Sequence, residues 1–338
     1  MKICIFGAGA VGSMISGELA RVGQDVTLIT RGSHLKAMQE NGLTVNMNGT
    51  EHHTRPACTD DPGKPGIQDF VIFAVKAHQA ADAAEQAAPL MGPDTTIVAA
   101  QNGVPWWYFY RTGDSYENHR LKSIDADRRI WNAIGPERVL GGMINGSCGI
   151  SKPGYVNHTQ KYRALTIGEP SGGGSDRCEA LASAFARTDI DMPVSTDIRH
   201  VVWTKLLSNV AGSMICVLTR GAQGETASDP ACRALAANIM LEAGAIAAAL
   251  GIDLSREIAA KTADEGPSNS PHKPSTLQDL EAGKAMEVDD IVGAVAEFGR
   301  LVGVDSPMIE AIYTLLRHTA VVAGCYPGDG SFNLVPRT

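Results

Sequence analysis

Positive charge is scarce in this chain of 338 residues: 29 Lys and Arg stand against 37 Asp and Glu, a formal net charge of −8. That balance argues against a protein built to grip nucleic acid or an anionic membrane, although a local basic site can still hold a small anion. Long apolar runs are missing as well. None approaches, uninterrupted, the roughly 20 residues that span a bilayer. The opening Met1-Lys2-Ile3-Cys4-Ile5-Phe6 turns into glycine too early to be the apolar core of a signal peptide. The seven cysteines are odd in number, scattered and without a C-x-x-C pair, and the nine histidines show no ligand spacing. Reduced thiols in a cytoplasmic protein, no metal and no membrane partner are therefore expected. Repeats and low-complexity segments are absent.

What is present is ordinary globular material, 44% apolar and 20% charged, enough for two cores. Short apolar runs at 2–6, 25–30, 70–75 and 96–100 read as buried strands. Helical patterns at 10–22, 33–40 and 78–90 lie between them, and this alternation means βαβ units on a parallel sheet. Further strand-like pieces follow at 139–150, 155–158 and 164–167, then a helix at 177–187. From about residue 196 the period is helical: 197–218, 230–250, 256–265, 276–302 and 307–323. Ser228-Asp229-Pro230 reads as a helix start and Gly251 as a stop. The expected fold is α/β: a Rossmann-type doubly wound domain over 1–195, followed by an all-helical domain over 196–338. That much apolar helix admits a homodimer.

Gly7-Ala8-Gly9-Ala10-Val11-Gly12 follows the first strand and opens a helix. Glycines at this spacing allow a tight turn, close approach of backbone to a pyrophosphate, and close helix–strand packing. The helix N-terminus then favours the phosphate charge. A glycine-rich turn without a ligand is the bland alternative. The second strand ends in Thr30-Arg31-Gly32-Ser33. An NAD site places a carboxylate there for the ribose hydroxyls, whereas Arg31 suits a 2′-phosphate and points to NADP(H). Thr30, Ser33 and Lys36 can add donors; alternatively, Arg31 is a solvated residue that begins a helix. Lys76 and Asn102 stand just past two further strand ends, where ligands of open α/β sheets bind, and are candidate cleft residues or ordinary loop residues.

The helical half carries two polar anomalies. Helical spacing puts Lys205 and Asn209 on one face of an otherwise apolar helix with Ser213 and Cys216, and buried polar groups need partners. A snorkelling lysine and a capping asparagine are the alternative. Ser275-Thr276-Leu277-Gln278 has capping-box spacing. Glu287 then aligns with Ile291, Ala294 and Phe298 on the inward stripe of the expected helix, with Asp290, Glu297 and Arg300 on the solvent face. An inward carboxylate wants a cation or a ligand hydroxyl.

Together, the glycine loop, Arg31, Val75-Lys76, Gln101-Asn102-Gly103, Trp203-x-Lys205-x-x-x-Asn209, and Ser275-x-Leu277-Gln278-Asp279 followed by Glu287 resemble the ketopantoate reductase (2-dehydropantoate 2-reductase) family over nearly the whole chain. The resemblance implies NADPH-dependent reduction of a small-molecule 2-keto acid in a cleft between the domains. Ketopantoate is the leading substrate, within pantothenate biosynthesis. It implies that Lys205 is the general acid and that Glu287 holds the substrate hydroxyl and orients Lys205. Asn102, Asn209 and Ser275 would bond substrate groups, with Lys76 near the cofactor. Two features depart from the family pattern: Ser213-Met214 replaces a second asparagine and proline, and an insertion at 105–137 opens with Pro105-Trp106-Trp107-Tyr108-Phe109-Tyr110. Those aromatics can widen a pocket, anchor the insertion or bury a subunit contact. The alternatives are another branched or aromatic 2-keto acid, a D-2-hydroxy acid oxidised with NAD, or a non-catalytic NADP-sensing regulator.

Overall fold

The apolar runs of the first half become central strands because residues covered on both faces need no polar alternation. In the computed structural model, which describes residues 1–158, 160, 162–263 and 269–327, the chain divides into two units, Met1–Val201 and Val202–Thr338.

Among its described residues the first unit forms eleven strands: β1 (Lys2–Phe6), β2 (Asp25–Ile29), β3 (Leu43–Met47), β4 (Thr50–Thr54), β5 (Ala57–Thr59), β6 (Phe70–Phe73), β7 (Thr96–Ala99), β8 (Val139–Asn145), β9 (Cys148–Lys152), β10 (Tyr155–His158) and β11 (Ala164–Gly168). Seven make one sheet in the order β11-β8-β7-β6-β1-β2-β5. Its pairings are parallel, except that β11 runs antiparallel to β8 at the edge. From β5 to β8 this is the doubly wound order 3-2-1-4-5-6, so the strand order reverses between β1 and β6.

A second sheet, β4-β3-β10-β9, has no counterpart in the sequence expectations for 43–59. It packs on the helix Ala10–Arg21. That helix therefore lies between two sheets, and every residue from Gly12 to Leu19 is buried, Glu18 included. Glu18 is held by a bidentate pair with Arg21 and by the Asp189 N–H. These bonds outweigh desolvation and keep its carboxyl below the usual range.

The second unit is helical. Its described elements are the end of Ile198–Ser208, a π-helical turn Asn209–Ser213, Met214–Thr219, Gln223–Ser228, Pro230–Ala249, Ser255–Thr262, Ser275–Glu281, a second π turn Asp289–Gly293, Ala294–Val302 and Pro307–Val322. Asp229 caps Pro230–Ala249 through the Cys232 N–H. The Glu242 carboxylate accepts the Met308 and Ile309 N–H groups at the start of the last helix. The last two positions of the expected helix 256–265, and the tail beyond Pro327, lie outside the described residues. By length and composition two helices could cross a membrane, Ile198–Thr219 (22 residues) and Pro230–Ala249 (20 residues). Lys205 in the first, and Arg233 and Glu242 in the second, interrupt their apolar runs in sequence.

One expected helical span fails in this unit. The predicted continuous helix 276–302 is broken between Glu281 and Asp289. Gly283, at φ 63°, ends the first piece, and the Met286 N–H bonds the Cys325 carbonyl instead of a helical partner.

Candidate active site

The glycine loop sits at the sheet's switch point. β1 and β6 are neighbours, and their carboxyl ends lead into Gly7 and Lys76. Gly7 adopts φ 106°, and a Cβ there would lie 2.6 Å from Val75 Cγ1. A Cβ on Gly12 would lie 1.9 Å from the Gly7 carbonyl oxygen, so no other residue fits. At Gly9 the nearest atom would be 3.8 Å away. Gly9 is also the N-cap of Ala10–Arg21 and supplies no side-chain cap, leaving the first-turn N–H groups of Ala10, Val11 and Gly12 to an outside acceptor. Gly7 and Gly12 make the turn and Gly9 leaves the approach open. These residues fit a dinucleotide pyrophosphate.

At the end of β2, Thr30 is buried, with its N–H bonded to the Thr59 carbonyl. Arg31 is exposed and is the N-cap of the helix Gly32–Asn41. Ser33 and Lys36 are exposed on that helix, Lys36 at 4.0 Å from Glu40. Lys76 and Asn102 are both half-buried, at the carboxyl ends of β6 and β7, and the Gln101 amide donates to the Val75 carbonyl between them.

The aromatic run is packed into the first unit. Trp106, Trp107, Tyr108 and Phe109 are all buried, Trp107 completely. Trp106 meets Trp131 edge-on at 6.0 Å. The Arg199 guanidinium donates to the carbonyls of Tyr108, Tyr110 and Pro170 and lies 5.9 Å from the Trp107 ring centroid and 5.7 Å from that of Tyr108. The aromatics thus anchor the insertion.

In the second unit the structure brings Lys205 and Glu287 into electrostatic contact. Burial lowers the Lys205 ammonium to about 8, and the Glu287 charge opposes that fall. Glu287 is 5% exposed and lies on the non-helical segment before Asp289, not on a helix as expected. Asn209, one turn after Lys205, opens the first π turn. That turn packs against the second one, Asp289–Gly293. Such turns widen the helix by a residue and often occur at functional sites.

Two expectations are corrected here. Asp290 is buried, at 8% exposure, not solvent-facing, because the π turn does not keep the 3.6 period on which the expectation rested. Desolvation, then the charges of Glu287 and Asp289, push its pKa well up and favour the neutral form. Ser275 is exposed and is the first residue of its helix. Pro274 precedes it as N-cap, so the capping box does not form. Ser275–Glu281 packs against Met214–Thr219. Sequence reasoning missed Asp290 as an interior group, and it missed His34, which bonds Ser13 and Gly154 beside the glycine loop.

Residues 3–172 match the model of the ketopantoate reductase PanE/ApbA family, and residues 197–320 match that of its C-terminal domain. A 2-dehydropantoate 2-reductase of Mesorhizobium japonicum is 40% identical over 327 residues, covering 96% of this chain and all of the relative. A structure from Ralstonia solanacearum MolK2 assigned as a ketopantoate reductase is 35% identical, with TM-score 0.87 over 96% of this chain and 99% of its own. The ternary structure of D-mandelate dehydrogenase with NADH and anilino(oxo)acetate superposes with TM-score 0.82 over 96% and 99% of the two chains; at 23% identity the likeness is one of fold. The chain belongs to the ketopantoate reductase family, oxidoreductases that act on CH–OH groups.

Proposed function

We propose that this protein reduces ketopantoate to pantoate with NADPH. The observation that carries the reading is the Lys205–Glu287 pair, a partly buried ammonium brought to about 8 within a chain of this family. When bound, the nicotinamide supplies hydride to the ketone carbon. Lys205 donates a hydrogen bond to the ketone oxygen and gives up its proton as that oxygen becomes an alkoxide. A pKa near 8 suits this work, since the group is mostly protonated at neutral pH yet releases its proton readily. Glu287 keeps Lys205 charged and accepts a hydrogen bond from the substrate hydroxyl, while Asn209, Asn102 and Ser275 donate to its polar groups. Gly7 to Gly12 hold the pyrophosphate, with Lys76 and Asn102 beside the cofactor. Arg31, exposed at a helix start, pairs with the 2′-phosphate that distinguishes NADPH from NADH, and Thr30 links it to the end of β2.

The burial of Trp106–Phe109 supports ketopantoate over an aromatic acid, because those rings are spent on the core of the first unit. Turnover with NADPH and NADH against ketopantoate, ketoisovalerate and phenylglyoxylate tests the reading. Ketopantoate with NADPH is expected to give the highest kcat/KM. Activity confined to another acid refutes the substrate and keeps the chemistry.

The assembly proposed is a homodimer. The exposed positions of Pro230–Ala249, among them Leu235, Asn238, Leu241 and Ala245, carry no charge, and Leu241 is 58% exposed. Sedimentation of the wild type as a monomer at micromolar concentration refutes this. All seven cysteines are free thiols, which supports a cytoplasmic location.

A further inference from the structure

We infer that His34 is a positioning residue for recognition of the 2′-phosphate, tying the helix that begins at Arg31 to the glycine-loop helix and to the second sheet; the inference rests on the proposed NADPH specificity. His34 lies three residues after Arg31, on the first turn of Gly32–Asn41. Its Nδ1 accepts the Gly154 N–H at 3.0 Å, so the neutral ring carries its proton on Nε2. That nitrogen is 3.0 Å from Ser13 Oγ and donates to it, and Ser13 Oγ in turn donates to the Ala8 carbonyl at 3.3 Å. An unbroken chain of hydrogen bonds thus runs from the glycine loop, through the first turn of its helix, to the helix of Arg31 and on to the turn between β9 and β10.

The far end of the chain is anchored too. Gly154 holds φ 76°, its carbonyl accepts the Thr44 N–H, and a Cβ there would lie 3.2 Å from the Gly42 carbonyl oxygen and 3.4 Å from Ala37 Cβ. The β9–β10 turn therefore clamps the same helix at its rear while His34 holds its front. Burial lowers the His34 pKa and keeps the ring in the neutral form that this pattern needs. Arg31 itself is exposed, and holding the backbone from which it projects lowers the ordering cost when it binds.

Equilibrium titration of the purified chain with NADPH, NADH and adenosine 2′,5′-bisphosphate, with Tm measured alongside, tests this. His34→Leu is expected to weaken NADPH and the bisphosphate about tenfold, the worth of one or two hydrogen bonds, and NADH less than about threefold. His34→Gln, whose amide can still donate to Ser13, should recover part of the loss, and Ser13→Ala should show a smaller shift in the same direction. Should His34→Leu fail to fold, the latter two variants carry the test. Parallel weakening of NADPH and NADH in all three overturns the inference. Arg31→Ala separates the two readings. If it abolishes the preference for NADPH while the His34 variants do not move it, the positioning role is wrong and NADPH specificity stands. If Arg31→Ala leaves the preference intact, both fall.

Discussion

Glu287 and Lys205 act on one another across the interior of the helical unit: the carboxylate supports the ammonium charge while burial draws the lysine down to about 8. A general acid works in its protonated form, which for Lys205 exists below that value. Reduction should therefore have a flat kcat/KM below about pH 8 and fall about tenfold per pH unit above it. Glu287→Gln removes the supporting charge, so the falling limb should move to lower pH. A pH–rate profile unmoved by that substitution contradicts the pairing. Lys205→Ala should lower kcat at least about a hundredfold.

Arg31→Glu should weaken NADPH far more than NADH. The substitution places a carboxylate against the 2′-phosphate while offering the free ribose hydroxyl an acceptor. Ratios of kcat/KM for the two cofactors measure this, and an equal effect on both would leave Arg31 as no more than the start of a helix.

Gly12→Ala tests the cradle. The added methyl would sit 1.9 Å from the Gly7 carbonyl oxygen, a backbone atom that cannot swing away as the end of a side chain could. We expect loss of dinucleotide binding and a destabilisation of about 3 kcal/mol, the upper range for overpacking. Calorimetry of the variant showing wild-type NADPH affinity would mean that the loop can open at little cost.

Arg199→Met should loosen the insertion. It leaves the Tyr108, Tyr110 and Pro170 carbonyls without their donor and keeps much of the apolar stem. A loss of about 2–4 kcal/mol in urea unfolding is expected from breaking a half-buried multiple hydrogen bond of this kind. A change below about 0.5 kcal/mol would show that the aromatic core holds the insertion alone.

The legible parts of the fold were those whose signal is local. β1, β2, β6 and β7 announced themselves as apolar runs, and Gly7, Gly9 and Gly12 as a turn between the right elements. Of the second sheet, β3 and β4 were missed although Asn48-Gly49 joins them with positive φ at both residues, a hairpin signal in sequence. The other neighbour of β3, β10, pairs with it from more than a hundred residues away, a pairing that no local window contains. The break after Glu281 was missed in the same way: Gly283 marks it, but the bond from Met286 to Cys325 that holds it is long-range.

For the candidate site, residue type and order along the chain determined the dinucleotide loop, the guanidinium at the end of β2 and the presence of Lys205 and Glu287, because each chemistry requires particular atoms at particular separations along the backbone. Which of these groups feel one another was decided only by tertiary structure. Eighty-odd residues separate Lys205 from Glu287, and their coupling depends on a low-dielectric interior that forms only when the helices pack. The burial of Asp290, the anchoring of the aromatics by Arg199 and the bonds of His34 arise in the same way: hydrogen bonding and desolvation depend on distance in space, which periodicity in sequence does not record.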